Sequence, residues 1–319
     1  MTNTKPINIY AQGVIPQPKK RTKVKRFIPL YLMLIPGTIY LVINNYIPMA
    51  GLVLAFKKFN YSLGIWKSPF NGLSNFKYLF MGNDAALMIR NTLLYNLIFI
   101  LVGTMLSVAV AIMLSVVRSQ TSRKIYQTII LIPYLISIVI VSYIVYAFLS
   151  SDTGFINKTL LNGKGTISWY TEPEYWPFIL TFVFLWKNFG YNSIIYYATI
   201  IGIDPALYEA ATVDGASNWK KVVHVTLPGL KSTIITLTLL AVGRIFYSDF
   251  GLFYQVPMNS GPLLNVTQTI DTYVYRALLT LNDVGRSSSA GFLQSIVGFF
   301  VVFFSNWAVR KIDKENALF

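Results

Sequence analysis

Long apolar runs alternate with shorter polar segments along most of this sequence. The first run extends from Phe27 to Phe56 without a charged residue, and another lies between Arg90 and Arg118. About twenty predominantly apolar residues suffice for a helix to cross the hydrocarbon core of a bilayer. The pattern therefore predicts an all-α membrane protein. Its six transmembrane helices are expected at about residues 28–48, 92–117, 126–149, 177–200, 231–248 and 288–309.

Two local features modify this picture. Residues 1–26 contain seven Lys or Arg residues and no acidic residue, which predicts a basic tail without stable structure. A signal peptide begins in the same way, but the apolar run that follows is too long for a cleaved one. Pro133 lies inside the third predicted span, where its missing backbone donor should kink the helix.

Composition agrees with a membrane protein. Of the 319 residues, 54% are hydrophobic and only 12% are charged, about half the charged fraction of a typical soluble domain. The chain has no cysteine, which excludes disulfides and thiol chemistry. The net charge of +15 could suggest nucleic acid, but in a membrane protein it more often reflects basic loops that face anionic lipid. We therefore predict contact with membrane lipid and no nucleic-acid partner.

The basic residues are unevenly distributed between the two sides that six spans would create. With the N-terminus inside, the inner segments hold 16 of the 27 Lys and Arg residues, and the longer outer segments hold 9. Cytoplasmic loops of membrane proteins carry the excess of Lys and Arg. Both termini, and the segment between the fourth and fifth spans, are therefore predicted to be cytoplasmic.

That segment, residues 204–228, is an island of polar and small residues between two apolar runs. Asp204 can N-cap a short helix that has a proline in its first turn, and Gly215 can end this helix in the left-handed conformation. Ser217 is then placed to cap a second helix, which Pro228 is expected to end. The prediction is a helix–turn–helix, with small residues on one face at Ala206, Ala210 and Ala211.

The spacing of residues within the island is specific. Glu209-Ala210-Ala211 is followed after three residues by Gly215, and after nine more by Val225-Thr226-Leu227-Pro228. This pattern resembles the EAA loop of ABC importer permeases, from which it departs only at Val225, where Ile is usual. In that family the loop is a cytoplasmic coupling helix that sits in a cleft of an ATPase subunit. The alternative is an amphipathic interfacial helix that only links two spans.

The resemblance implies a role in ATPase coupling for a defined set of residues. The implied coupling residues are Glu209, Ala210, Ala211, Asp214, Gly215, Leu227 and Pro228.

A second stretch narrows the resemblance. Residues 46–58 and 60–80 resemble the first permease of importers for complex oligosaccharides and polysaccharides, and Gly72-Leu-Ser-Asn-Phe-Lys77 is similar to MalF-like sugar permeases in general. The alternative is an ordinary amphipathic loop with aromatic residues at the interface. The resemblance covers the chain from about residue 27, so that residues 27–319 are expected to form a type I ABC importer permease domain in a bacterial cytoplasmic membrane.

The resemblance also implies an assembly. The expected partners are a second, homologous permease in a heterodimer, two ATPase subunits on the cytoplasmic side, an extracytoplasmic solute-binding protein, and an oligosaccharide as the substrate. The chain itself has no Gly-rich phosphate loop. The chain is thus predicted to be a transport subunit and not an enzyme. It is expected to bind no cofactor itself, because ATP and Mg²⁺ are bound by the ATPases. His224, the only histidine, has no catalytic constellation around it.

Polar and charged residues inside two predicted spans are candidates for the substrate path. A charged residue within a span costs about 2.5–3.5 kcal/mol on insertion scales, so it normally faces a partner or water. Asn, Tyr, Arg and Asp suit sugars, which are recognised by aromatic stacking and by planar polar groups. Alternatively, the two basic residues snorkel or pair with acids of a second subunit. The candidates are Lys187, Asn188, Tyr191, Asn192, Arg244, Tyr247 and Asp249.

Two other interpretations remain for the chain as a whole. An ion-coupled secondary transporter would need paired repeats or acids near the middle of its spans, and the sequence shows neither. A permease for a solute other than a sugar is the second alternative. In the sixth span, Gly291, Gln294, Ser295 and Gly298 lie on one helical face, which favours close helix packing over a pore.

Overall fold

The computed structural model describes residues 23–81, 83–161 and 166–312. In these ranges the protein is helical, and one isolated bridge between Lys57 and Phe70 is the only extended pairing. The chain divides into two units, Met1–Gly51 and Leu52–Phe319. Most of the predicted basic tail, residues 1–22, and the last seven residues lie outside the described ranges.

The N-terminal unit contains the first predicted span. Helix α1 (Lys23–Leu41) continues through a π-helical turn at Val42–Tyr46 into α2 (Ile47–Met49), and a 3₁₀ segment at Ala50–Phe56 follows. The helical run from residue 27 to residue 56 is 30 residues long and apolar enough to cross a membrane.

The second unit contains the remaining helices. Short 3₁₀ or π-helical segments accompany them at Ile156–Leu160, Trp169–Thr171, Pro173–Tyr175, Val222–Thr226 and Gly261–Leu263. The α-helices are α3 (Gly64–Lys67), α4 (Ser74–Met81), α5 (Asp84–Val116), α6 (Gln120–Leu135), α7 (Ile138–Leu149), α8 (Trp176–Ile201), α9 (Pro205–Val213), α10 (Asn218–Lys221), α11 (Leu227–Gly243), α12 (Phe250–Gln255), α13 (Leu264–Thr267), α14 (Ile270–Leu279) and α15 (Val284–Ile312).

Four helical runs in the described residues are long and apolar enough to span a membrane, or five if α6 and α7 count as one broken span. The predicted fourth span, 177–200, coincides with α8, which has 26 residues. Lys187, Asn188 and Asn192 interrupt its apolar sequence. α8 is long enough to cross a membrane, but because of these polar residues it is not among the runs that are also apolar enough.

The third predicted span is divided into two helices. α6 and α7 meet at an angle of 91°, so this segment is either a broken span or a re-entrant loop. The break lies at Ile136 and Ser137, whose ψ angles of 131° and 140° are extended. Pro133 lies three residues before it, inside α6. The chain therefore turns sharply after the proline instead of kinking at it.

The core of the second unit is built around the contact between α5 and α8. Phe99 of α5 stacks on Phe184 of α8, with ring centroids 3.8 Å apart and planes 6° apart. Phe253 of α12 packs against the same cluster, as do the fully buried Trp176 and Leu180. In a membrane such contacts stabilise through close packing rather than through removal from water.

A glycine sets the distance between α6 and α8. A Cβ atom built on Gly190 would lie 1.8 Å from the carbonyl oxygen of Ile130. This neighbour is a backbone atom, so only movement of a whole helix could make room. The part of α6 that precedes the break and α7 is therefore packed directly against the backbone of α8.

We expect Gly190→Ala to destabilise the protein by at least about 1–3 kcal/mol, because the added methyl overpacks a helix contact. Gly291→Ala is the matched control, since a Cβ atom there meets nothing within 4 Å. Both changes raise helix propensity by about 1 kcal/mol, so only the contact differs between them. Thermal unfolding of the purified protein in detergent should show a lower midpoint for the first variant alone. Equal midpoints would contradict the close approach.

Candidate functional site

Within the island, residues 204–226 form an exposed helical segment, which we call the knob. The Asp204 carboxylate accepts a hydrogen bond of 2.9 Å from the backbone N–H of Ala206 and caps α9, and Ser217 accepts one from Lys220 and caps α10. Gly215, with φ of +71°, ends the first helix in the left-handed region. These three local predictions are confirmed. A hydrogen bond of 3.0 Å between the Tyr208 and Thr226 hydroxyls ties α9 to the π-helical turn that follows α10.

The outer surface of this knob is partly apolar. No residue of α9 is buried, and Glu209 is exposed beside the two alanines that follow it. Val213 is 88% exposed and Trp219 is 73% exposed. Large apolar side chains this open on a polar segment mark a surface suited to contact another macromolecule.

Pro228 does not end the second helix, and that expectation is wrong. The chain passes from α10 through the π-helical turn Val222–Thr226 directly into α11, whose first turn contains Pro228. The backbone N–H of Leu227 bonds to the carbonyl of Val222, five residues earlier. This wider turn accommodates a proline, which fits the start of a helix because no donor is needed there.

The knob is consequently the base of one long helix. The run Asn218–Gly243 contains 26 residues, a length of about 39 Å at 1.5 Å per residue. It begins in the knob and ends at Arg244, whose φ of −110° closes the last turn. Arg244 was expected inside the fifth span and instead lies at the end of its helix.

A cavity with both polar and apolar lining residues lies beside that end. Its volume is about 490 Å³, within the range of roughly 300–1,000 Å³ found for small-molecule sites. α5, α8, α11 and the following turn form the walls. Five of the seven predicted path residues line it, namely Asn188, Asn192, Arg244, Tyr247 and Asp249.

The turn at residues 244–249 is held in place by side chains from other helices. Asn96 of α5 donates hydrogen bonds of 2.8 and 3.0 Å to the carbonyls of Ile245 and Tyr247. Gln294 of α15 donates to the carbonyl of Phe246 at 2.7 Å. The Asp271 carboxylate accepts from the backbone N–H and the hydroxyl of Ser248. Backbone groups that the helix end leaves open are thus satisfied by side chains.

Lys187 and Tyr191 lie outside the cavity lining. The Lys187 ammonium donates to the carbonyls of Pro133, Tyr134 and Ile136, at the break between α6 and α7. The Tyr191 ring stacks on Tyr134, with centroids 4.6 Å apart. Both residues therefore hold the bend, a role that was not considered from the sequence.

Lys187→Met should destabilise the bend, because the carbonyls of Tyr134 and Ile136 lose their donor and each unsatisfied group costs about 1–3 kcal/mol. Lys67→Met is the control, since Lys67 is exposed in a different part of the fold. The measurement is the thermal unfolding midpoint in detergent. The interpretation fails if both variants unfold at the wild-type temperature.

Sequence reasoning missed several residues that shape the cavity. Asn96, Gly103 and Thr104 of α5 all line it. Gly103 and Thr104 follow Asn96 by seven and eight positions, a spacing that places all three near one helical face. That spacing was available in the sequence as a faint polar stripe in an apolar span. The role of Asp271 was not available, because it depends on the tertiary contact with Ser248.

The polar face of the last span has a mixed environment. Gln294 is buried and bonded to the turn, and Gly298 lies close to the Tyr247 ring. A Cβ atom at Gly291 would meet nothing within 4 Å. Half of the face therefore packs as expected. His224 is exposed, with its Nδ1 atom 3.0 Å from the carbonyl of Lys220.

Comparison with known proteins gives consistent matches. Residues 100–314 match the family described as binding-protein-dependent transport system inner membrane component. The chain is similar to protein LplB of Bacillus subtilis (34% identity, covering 92% of each chain). It is also similar to the polygalacturonan/rhamnogalacturonan transport system permease protein YteP of the same organism (33% identity, covering 90% of this chain and 89% of YteP).

A solved structure is similar over nearly the whole fold. It is the bacterial alginate ABC transporter in complex with an alginate pentasaccharide-bound periplasmic protein. The TM-score is 0.82 and the identity 34%, covering 91% of this chain and 97% of the matched chain.

Proposed function

The chain belongs to the family of binding-protein-dependent transport system inner membrane components, and from this we propose that it is the permease subunit of an ATP-driven importer of oligosaccharides or polysaccharide fragments. Membership makes it a membrane-embedded transport subunit rather than an enzyme. One observation carries the proposal furthest. A single 26-residue helical run joins the exposed knob to a cavity of about 490 Å³ that polar and aromatic side chains line.

Six spans are the arrangement that we propose for the membrane. Four helical runs qualify by length and apolarity, and the pair α6 and α7 supplies a fifth as a broken span. We add α8, whose polar residues face the cavity and the bend instead of lipid. A path-lining helix is the one expected to have a polar interruption, because intramembrane polar groups face water or a partner. Residues 1–26 would then form a cytoplasmic tail.

The knob is proposed to transmit the work of an ATPase. Its exposed surface includes Glu209, Ala210, Asp214 and Gly215, with Ala211 half-buried beneath them. In the proposed complex this surface sits in a cleft of one of two ATPase subunits, which bind ATP and Mg²⁺. Closure of the ATPases would displace the knob, and the rigid helix above it would move the turn at Arg244.

The start of α11 adds the last part of this proposed coupling surface. Leu227 and Pro228 are both exposed where the knob joins the long helix. Coupling requires that the ATPases bind the knob differently in the inward-facing and outward-facing states, since only a differential affinity shifts a conformational equilibrium.

The remaining proposed partners complete the path. A second, homologous permease would close the open sides of the cavity in a heterodimer. An extracytoplasmic solute-binding protein would deliver the sugar, by analogy with the pentasaccharide-bound periplasmic protein that accompanies the alginate transporter. Within the cavity, Asn188 and Asn192 offer planar amides to hydroxyl groups, and Tyr247 offers a ring face.

Substitutions that change the charge of the knob should impair transport without impairing insertion into the membrane. We expect Glu209→Lys and Gly215→Asp to leave the protein in the membrane, while ATP-driven uptake falls at least tenfold and less ATPase copurifies. The measurements are uptake into proteoliposomes and ATPase recovery on affinity purification.

Matched controls distinguish lost docking from local strain. Gly64 has φ of +69°, almost identical to the +71° of Gly215, and open space around it. Gly64→Asp therefore imposes the same backbone strain outside the knob and should leave uptake unchanged. Glu174→Lys repeats the charge reversal at another exposed glutamate. Normal uptake by both knob variants would contradict the proposed coupling.

The proposed orientation has a direct test, because the chain contains no cysteine that must first be removed. Val213→Cys and Trp66→Cys introduce single thiols at positions 88% and 73% exposed. A membrane-impermeant maleimide should label Cys at 66 in intact cells and label Cys at 213 only after the membrane is opened. Labelling of position 213 from outside would reverse the topology.

A further inference from the structure

The two charges that line the cavity are not equally engaged. The Asp249 carboxylate accepts a hydrogen bond of 3.1 Å from the backbone N–H of Leu252 and caps α12. Arg244 is exposed to the cavity. Across residues 23–81, 83–161 and 166–312, its guanidinium has neither a hydrogen bond nor an ion pair. Of the two charged groups, Arg244 is therefore the one without a hydrogen-bond partner among the described residues.

Arg244 is held in this position by a rigid backbone. Asn96 and Gln294 bind the three carbonyls that follow it, and Asp271 binds Ser248 at the far end of the turn. The end of α11 attracts a cation, which is a sufficient reason for a basic residue at this place. This attraction does not provide acceptors for the five N–H donors of the Arg244 guanidinium, however.

The unused donors have a specific geometry. A guanidinium presents a planar fork that fits both oxygens of a carboxylate at once, and such charge-assisted pairs are stronger than neutral hydrogen bonds. A neutral sugar has no carboxylate, so it cannot form such a charge-assisted pair with the guanidinium.

We propose that the cavity takes acidic oligosaccharides, whose sugar carboxylate binds the Arg244 guanidinium while Asn188 and Asn192 bind the hydroxyl groups. This inference rests on the proposed function and narrows the substrate to uronate-containing sugars. Arg244 acts as a specificity-determining residue. The neighbouring Tyr247 ring supplies an apolar face for the pyranose.

The test uses the complete importer, with its second permease, ATPases and binding protein, in proteoliposomes. The probes are trigalacturonate and trimannuronate, each paired with its carboxyl-reduced neutral trisaccharide. Arg244→Gln removes the charge at similar length, and Arg244→Lys keeps the charge without the fork. Arg310→Gln is the control, because Arg310 is exposed near the end of α15, away from the cavity lining.

We expect wild-type protein and Arg310→Gln to import an acidic trisaccharide in preference to its neutral counterpart. Arg244→Gln should lower kcat/KM for the acidic sugar about 10- to 100-fold, the loss of one charged hydrogen-bonded pair. Arg244→Lys should lose less. Uptake of the neutral sugar by Arg244→Gln should fall less than uptake of the acidic sugar, and ATP hydrolysis without sugar should be unchanged in Arg310→Gln.

Three results would overturn the inference, and they differ in what else they reject. Equal uptake of acidic and neutral trisaccharides, with neither affected by Arg244→Gln, removes only the acidic specificity. An equal loss for acidic and neutral sugars, with less second permease copurified, assigns Arg244 to a subunit contact. Absence of ATP-dependent uptake of any of the four sugars rejects the proposed sugar importer as well.

Discussion

The requirement that polar backbone groups be paired within a membrane shapes this protein more than any single packing contact. Helices satisfy the requirement internally, so each interruption needs side chains from elsewhere. The turn at residues 244–249 is the clearest case, since Asn96, Gln294 and Asp271 bond to it from three different helices. The protein can present charged side chains to a cavity there because other side chains satisfy the broken helix end.

The bend between α6 and α7 follows the same rule. Ending α6 in the bilayer frees carbonyls that would otherwise bond along the helix, and the Lys187 ammonium donates to three of them. A cation is well suited to a helix C-terminus, where the partial charge is negative. The cost of a lysine in a span is offset by the backbone that it stabilises. The stacked rings of Tyr134 and Tyr191 cover the same place.

Local signals in the sequence predicted local structure well. The caps of the knob and the turn at Gly215 depend on residues a few positions apart, and the structure contains them. The prediction that Pro228 ends a helix was wrong, because a π-helical turn before it makes room for the proline and residue preferences do not encode this turn. The cavity was partly predictable, since charged residues in spans must face a partner. The assignment of Lys187 to the bend was not, because its acceptors are about fifty residues away in sequence.

The two interruptions of the spans also touch each other, and in the proposed coupling this contact would carry movement of the long helix to the bend. A Cβ atom at Gly251 would lie 2.6 Å from Cγ2 of Ile138, so the start of α12 packs directly on the first residue of α7. Asp249, which caps α12, lines the cavity. A displacement that enters through the knob and reaches Arg244 must therefore move the cavity wall and press on the bend together. Packed interiors transmit strain because they contain few voids to absorb it.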